Sequence, residues 1–401
     1  MIKDSYDVVI AGGGPAGCAV AKNLAKLGHS VLLLEKRQEI GAPKRCGEGL
    51  SIATMKMIEE IPVNFKVPPR FIAQVIDGAR VYTPDMNSVL IDFGHEEGYI
   101  VERKVFDKFI AYEASRAGAT IIAKSEVTGV IKENGCITGV KARICGGDEK
   151  RIRAKIVVAA DGIESAVSRK AGLDTTNKLV NVDSGFQYEM SNLKLDDDRK
   201  ILLFFGNEIA PRGYVWIFPK GHDIANVGIG VSGAEKSAKH YLDLFISSHP
   251  EIFGKSSIIE VNSGGIPVGG FLEKMVLDGF LVVGDAAHQV NPIHGGGMKE
   301  GTIAGEMAAS VISSCLKKGD VSAKALSEYN RIWWKERGAK LKKVEKLREV
   351  VEKLSDDDLN MLSRSLSGDD LVELTRGNRM GTLAKILMKR PRLITLARHL
   401  L

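Results

Sequence analysis

Apolar and polar positions alternate in blocks whose period changes along the chain, and those changes mark out the elements. Tyr6–Ala11 is a short apolar run; a glycine-rich turn, a helix of small residues and a second apolar run, Val31–Leu34, follow it and end on Glu35. That order predicts a β-α-β unit. Residues 52–61 read as a short helix leading into a proline-punctuated loop, and residues 74–82 and 89–93 alternate as strands. Val105, Phe106, Phe109, Ile110 and Ala114 recur at helical spacing and predict an amphipathic helix over 105–117. Four alternating stretches (121–123, 127–132, 137–144 and 152–159), turning at Asn134-Gly135 and Gly146-Gly147, predict a β-meander inserted in the first domain. Strands dominate residues 185–267, with one helix near 236–247. An apolar strand returns at 280–283, a long helix opens after Gly297, and everything past Ser322 is patterned as helix. The expected fold is therefore α/β (α+β). A discontinuous domain covers 1–182 and 268–322, an antiparallel-sheet domain covers 183–267, and a helical region covers 323–401.

A chain of 401 residues exceeds what one hydrophobic core supports, in keeping with joined domains. No apolar run approaches the ~20 residues that span a bilayer, and the first strand begins at once. Neither an anchor nor a signal peptide is expected, so a cytoplasmic location is. The five cysteines, Cys18, Cys46, Cys136, Cys145 and Cys315, form no CxxC pair, so no disulfide framework and no metal site is expected. The net charge of +6 is carried wholly by residues 331–401, a basic region that faces either an anionic surface or only water; no nucleic-acid partner is expected. Within it, 383–400 sets Lys385, Lys389, Arg390, Arg392 and Arg398 among leucines and isoleucines, and Pro391 must kink or break the helix. This segment is a candidate for peripheral contact with the inner face of the cell membrane, with packing over the second domain as the alternative. Trp333 and Trp334 read as core or as membrane-interface residues.

The opening unit carries the first chemistry. Gly12 allows a tight turn, Gly14 lets backbone amides approach a pyrophosphate, and Gly17 lets helix and strand pack closely. The helix dipole then faces the phosphates, and Glu35 stands where a carboxylate accepts hydrogen bonds from ribose hydroxyls. Further along, Leu281-Val-Val-Gly-Asp285 brings an acid to the carboxyl end of a strand, suited to a polyol such as ribityl. Gly295-Gly-Gly297 then opens a helix near Met298, whose free amides stabilise negative charge on a reduced flavin. These glycines can also be a plain flexible loop. Tyr214, Trp216 and Phe218 fall at period two and share one strand face, either as sheet core or as the wall of a long apolar pocket.

Asp161-Gly162, after the apolar run 156–160, resembles the Asp-Gly motif of the flavoprotein hydroxylase superfamily, and Gly284-Asp285 resembles its Gly-Asp motif. The resemblance implies non-covalent FAD in a Rossmann-like domain folded like p-hydroxybenzoate hydroxylase. It also implies further FAD contacts at Ala16, Cys46, Gly47, Gly49, Arg103, Val127, Gly297 and Met298. Arg45-Cys-Gly-Glu-Gly49 and Gly213-Tyr-Val-Trp-Ile-Phe-Pro-Lys-Gly221 resemble signatures of the geranylgeranyl reductase family, over roughly the full chain. That resemblance implies a reductase saturating the isoprenoid C=C bonds of geranylgeranyl chains in archaeal ether-lipid precursors. Hydride would come from N5 of reduced flavin, and electrons from an external donor such as NAD(P)H, ferredoxin or another carrier. An unconjugated alkene also needs a proton, and Cys46 is the candidate donor; the alternative is an inert cysteine. His288 reads as structural or pocket-lining, and Lys44, Arg45 or the basic C-terminal region is a candidate contact for a lipid phosphate. Competing functions are a flavin-dependent aromatic hydroxylase and a non-catalytic prenyl-binding escort; the escort reading requires a weak or empty FAD site.

Overall fold

The computed structural model describes residues 2–57 and 70–400. The β-α-β unit forms as β1 (Ser5–Ala11), α1 (Pro15–Lys26) and β2 (Val31–Leu34). A loop carrying Cys46 leads to β3 (Gly49–Ser51) and α2 (Ile52–Met57); the rest of the expected helix and its proline loop lie outside the described residues. β4 (Ile72–Ile76), β5 (Gly78–Tyr82), β6 (Ser88–Asp92), β7 (Gly98–Val101), α3 (Arg103–Arg116) and β8 (Thr120–Ile122) follow. The meander is β9 (Glu126–Glu133), β10 (Cys136–Arg143) and β11 (Glu149–Ala159), and α4 (Ala166–Ala171) closes this half.

The second half opens with β12 (Val182–Ser191), β13 (Lys200–Phe205), β14 (Tyr214–Pro219) and β15 (Ala225–Val231). Next come α5 (Ala238–Ser247), α6 (Pro250–Phe253) and β16 (Ser257–Pro267). The chain returns through β17 (Val276–Leu277) and β18 (Phe280–Val282) to the long helix α7 (Met298–Lys318). The C-terminal region is α8 (Ala323–Leu326), α9 (Glu328–Trp333), α10 (Ala339–Val351), α11 (Asp356–Ser363), α12 (Gly368–Thr375), α13 (Met380–Leu387) and α14 (Ile394–Leu400).

The first sheet runs β17-β18-β11-β1-β2-β8, with the meander branching from β11. Its central pairings, β18–β11, β11–β1, β1–β2 and β2–β8, are parallel, which sends every central carboxyl end toward one crevice. α1 and α7 meet over it through small residues: a Cβ on Gly305 would stand 2.8 Å from the Ala16 carbonyl oxygen and 2.8 Å from Ala19 Cβ.

The second sheet is larger than the strands of 183–267 alone provide. Its order is β16-β12-β15-β14-β13-β5-β6, so two strands from residues 78–92 complete it, β5 pairing parallel to β13. One face buries Tyr188, Met190, Val215, Ile217, Val227 and Ile229 against Leu242 and Phe245 of α5. The other face looks back at the first domain and the C-terminal helices, and it forms the wall of the site.

The C-terminal segment packs onto its own helical region. Trp333 is fully buried, and half-buried Trp334 packs beside it and donates its indole N–H to the Leu272 carbonyl at 3.2 Å. Pro391 breaks the helix as expected, and Leu383, Leu387, Leu393, Ala397 and Leu400 turn inward onto Leu347 and Val350. Protein covers that apolar face, and Arg390 and Arg392 are held by Asp358 at 3.0 and 2.7 Å. No helix among the described residues is long and apolar enough to cross a membrane.

Candidate active site between the two sheets

A cavity of about 1280 Å³ runs from the carboxyl ends of the parallel strands, past the Cys46 loop, to the exposed side of the second sheet. That is larger than the ~300–1,000 Å³ of a pocket for one drug-sized ligand. Gly12, Gly14, Ala16, Glu35, Cys46, Gly47, Gly49, Arg103, Val127, Asp161, Gly284, Asp285, Gly297 and Met298 all line it, as do Tyr214, Trp216 and Phe218. Gly17 does not. It sits behind the turn, where a Cβ would strike the Gly12 carbonyl oxygen at 2.0 Å, the close packing its position predicts.

The first arm is built for a dinucleotide. Gly12 has φ +113°, and a Cβ there would meet the Ala160 carbonyl oxygen at 2.1 Å, so only glycine makes this turn. A Cβ on Gly14 or Gly162 would meet nothing within 4 Å, leaving backbone open to the cavity. Glu35 accepts the Gly13 amide at 2.8 Å and the Arg37 amide at 2.9 Å, which fixes its carboxylate at the end of β2 with lone pairs to spare. Arg103 opens α3 and forks onto Asp107 at 2.7 and 2.8 Å. Burial works against its charge, but Asp107 and the Cys46 sulfur keep it protonated beyond its usual range.

Asp161 gives one oxygen to the Val167 amide at 2.9 Å; the other, Oδ1, is buried without a hydrogen-bond partner among the described residues. Burial pushes its carboxyl up, and does the same to Asp285. Gly297 leaves room for the Asp285 carboxylate: a Cβ there would lie 2.5 Å from Oδ1. Open glycine backbone, an orphaned buried carboxylate oxygen and a second acid at the start of α7 are the donor and acceptor set that FAD requires.

The second arm is the open face of the seven-stranded sheet. Tyr214, Trp216 and Phe218 lie on it, as their period-two spacing predicts, and Ile201, Leu203 and Phe205 continue it across β13. Ala79, Val81, Val89 and Ile91 extend it to the far edge, and Leu359, Leu362, Leu366 and Leu371 roof it. Tyr214 and Trp216 of this row have glycines, Gly230 and Gly228, as their partners on β15. A Cβ on Gly228 would sit 2.3 Å from the Trp216 ring. Trp216 then reaches Gln187 Oε1 at 2.9 Å, and Gln187 donates to the Cys46 carbonyl at 3.1 Å, tying the wall to the loop.

That loop is the junction of the two arms. Phe218 presses against Gly47 and Gly49, where a Cβ would come within 2.9 and 3.2 Å of its ring; the close approach these glycines permit is made by the aromatic wall. Glu48, with φ 75° and no exposure, accepts the Arg103 amide at 2.8 Å. Its other oxygen meets Asn226 at 2.7 Å, Lys220 at 3.0 Å and Lys44 at 3.2 Å. Glu189 joins both lysines at 2.5 and 2.7 Å. Burial opposes charge on Lys220, but Glu48, Glu102 and Glu189 hold it protonated. Lys44 is thus locked in this buried cluster and cannot be the contact for a lipid phosphate; Arg45 alone of the pair is exposed, lying over Gly264. Cys46 lines the cavity, its sulfur accepting the Glu48 amide at 3.2 Å. His288 lies buried outside the cavity lining, bonded to the Gly270 and Thr175 carbonyls at 2.6 and 3.2 Å, a structural role.

Residues 7–179 match the family described as FAD dependent oxidoreductase, and residues 181–266 match the geranylgeranyl reductase catalytic domain. The digeranylgeranylglycerophospholipid reductase of Methanocella arvoryzae is 40% identical over 377 residues, covering 93% of this chain and 94% of its own. That of Methanocaldococcus jannaschii is 39% identical over 406 residues, covering 100% and 99%. The chain belongs to the digeranylgeranylglycerophospholipid reductase family. Family members of this kind are FAD-dependent oxidoreductases, and this protein is one. Among solved structures, a geranylgeranyl bacteriochlorophyll reductase-like protein from Thermoplasma acidophilum superposes with TM-score 0.89 at 36% identity, covering 99% of this chain and 100% of that one. A flavin-dependent brominase superposes at 0.76 with 21% identity over 93% and 94% of the two chains, and shares the fold alone.

Proposed function

We propose that this reductase saturates the isoprenoid double bonds of geranylgeranyl chains in an archaeal ether-lipid precursor, with FAD in the first arm and the prenyl chain in the second. The observation that carries this reading is the continuity of the cavity: a glycine-lined, acid-bearing arm opens at Cys46 into an arm walled by aromatic and aliphatic side chains. Each methylene withdrawn from water there contributes about 0.8 kcal/mol, enough in sum for a long chain to bind without polar anchors.

Bound FAD, once reduced, supplies the hydride. The protein's residues do the rest. Asp161, Asp285 and the backbone at Gly12–Gly14 and Gly297 hold and orient the cofactor. Trp216, fixed by Gln187 over Gly228, orients the chain and keeps water from the reacting carbon. In this reading Cys46 faces the double bond where the arms meet, and the Lys44–Glu48–Lys220–Glu189 cluster holds its loop to the sheet. Electrons arrive from an external carrier, and the lipid is drawn from a membrane that the protein meets peripherally. The test is mass spectrometry of lipid extracted from the purified yellow protein. Partly or fully saturated diether lipids are expected; a preparation carrying only small aromatic molecules would overturn the reading.

A further inference from the structure

Saturating an isolated trisubstituted alkene takes a hydride and a proton, and the proton must come from a group that still holds it in an apolar cavity at neutral pH. The Cys46 sulfur is flanked by donors, the Glu48 amide at 3.2 Å and the Arg103 side chain. Neither is an acceptor that would help it hand a proton on and recover one. Among the other carboxyl groups lining the cavity, Glu48, Asp107, Glu126, Glu164 and Glu300 are each paired with a lysine or arginine, Glu97 meets His95, and Glu35, Asp161 and Asp285 belong to the cofactor arm.

Asp183, on the cavity face of β12, is arranged differently. Arg212 and Arg348 are the cations beside it, and Glu352 binds both. Ser232 and Tyr214 are its remaining polar neighbours. Its Oδ1 is buried with no hydrogen-bond partner among the described residues. Its Oδ2 would lie 3.8 Å from a Cβ on Gly230, the register partner of Tyr214. Tyr214 reaches across to donate its hydroxyl to the His294 carbonyl at 3.0 Å. Ile266, opposite Asp183 in the sheet, would stand 2.7 Å from a Cβ on Gly295. The carboxyl therefore sits between the aromatic wall and the loop that opens α7, and Tyr214 neighbours both it and Cys46.

We propose that Asp183 is the acid from which the saturation step draws its proton. The assignment rests on the reading of the second arm as a prenyl site. The alkene π pair forms a C–H bond to the Asp183 proton, the O–H pair stays on the carboxylate, and hydride closes the second C–H bond at the tertiary carbon. The ring faces of Tyr214 and Trp216 stabilise the positive charge that builds there. After product leaves, the carboxylate regains a proton from water. Burial, with Glu352 nearby, outweighs the pull of Arg348 and Arg212 and pushes the Asp183 carboxyl up to about 7, so it holds its proton below neutral pH.

The experiment compares full-length, FAD-loaded wild type, Asp183→Asn and Asp183→Glu in anaerobic single turnovers of a chemically reduced sample with a digeranylgeranyl glycerophospholipid. Asp183→Asn should slow saturation by roughly 100-fold or more. Flavin content and lipid half-saturation should stay within about twofold, and Asp183→Glu should recover at least about tenfold of the loss. The wild-type rate should fall as pH rises through about 7, and Asp183→Asn should lose that limb. Infrared spectra should show a protonated-carboxyl band titrating at the same midpoint in wild type and missing from Asp183→Asn. A wild-type rate in Asp183→Asn, or an unchanged pH limb, overturns the assignment. Should Asp183→Asn not fold, kinetic and infrared midpoints that differ in wild type overturn it. Wild type that saturates nothing removes the prenyl reading itself, and Asp183 with it.

Discussion

Single side chains decide what each arm does. Cys46 was legible in sequence because Arg45-Cys-Gly-Glu-Gly49 is an odd core filler, and it lines the junction. Cys46→Ala should slow alkene reduction by at least about tenfold while FAD affinity moves less than about twofold, measured by single turnover and flavin titration. Unchanged turnover would mean that the Cys46 side chain does not position the double bond. Asp183 had no local signal: it lies in an ordinary strand, and only the fold shows that Glu352 pairs with both arginines beside it and that its Oδ1 has no hydrogen-bond partner among the described residues. Its burial has a stability consequence whose sign is fixed. A carboxyl at about 7 when folded and near 3.8 when unfolded keeps its proton only in the folded state across that window. Stability is therefore lost as pH climbs from about 4 to 7. Asp183→Asn should abolish that loss and gain on the order of 4 kcal/mol at pH 8, with no gain below pH 4, in denaturant melts. An equal effect at both pH values would contradict the ionisation account. Gly228 was equally hidden, because a strand glycine reads as a weakness until the Trp216 ring above it is seen.

At the level of elements, the sequence announced whatever depends on neighbours in the chain. β1, α1 and β2 were readable from an apolar run, three glycines and an acid, and the meander from its turns. β5 and β6 read as strands, but their place did not follow, since β5 pairs with β13 more than a hundred residues away. The same distance hid the buried Lys44–Glu48–Lys220–Glu189 cluster, whose members come from three separate stretches. It hid, too, the roof over the second arm, because Leu359, Leu362 and Leu366 look in isolation like the core side of any helix. This composite wall sets chain length. Leu203→Trp, on β13 between Trp216 and Val81, should block the way from the aromatic row to the far edge of the arm. Reduction of a twenty-carbon chain should fall at least about tenfold and that of a ten-carbon analogue stay within about threefold, with flavin binding unaffected. Equal loss for both lengths would mean that the chain does not extend along β13.

At the scale of the whole molecule, the two larger of the three sheets among the described residues clamp one cavity. Parallel strands deliver a polar, glycine-lined end, a mostly antiparallel sheet delivers an apolar end, and the Cys46 loop is pinned where they meet. Residues of the 1–182 and 268–322 stretches hold the first, those of 78–92, 183–267 and 323–401 the second, so neither arm belongs to one continuous segment. The most direct measurement is an anaerobic single turnover of chemically reduced, full-length protein with a digeranylgeranyl glycerophospholipid. Flavin reoxidation is followed by absorbance, and product by mass spectrometry. The account predicts reoxidation without oxygen, in step with the gain of two hydrogens at each saturated bond. Flavin that stays reduced until air is admitted, with oxygen then appearing in the product, would contradict it.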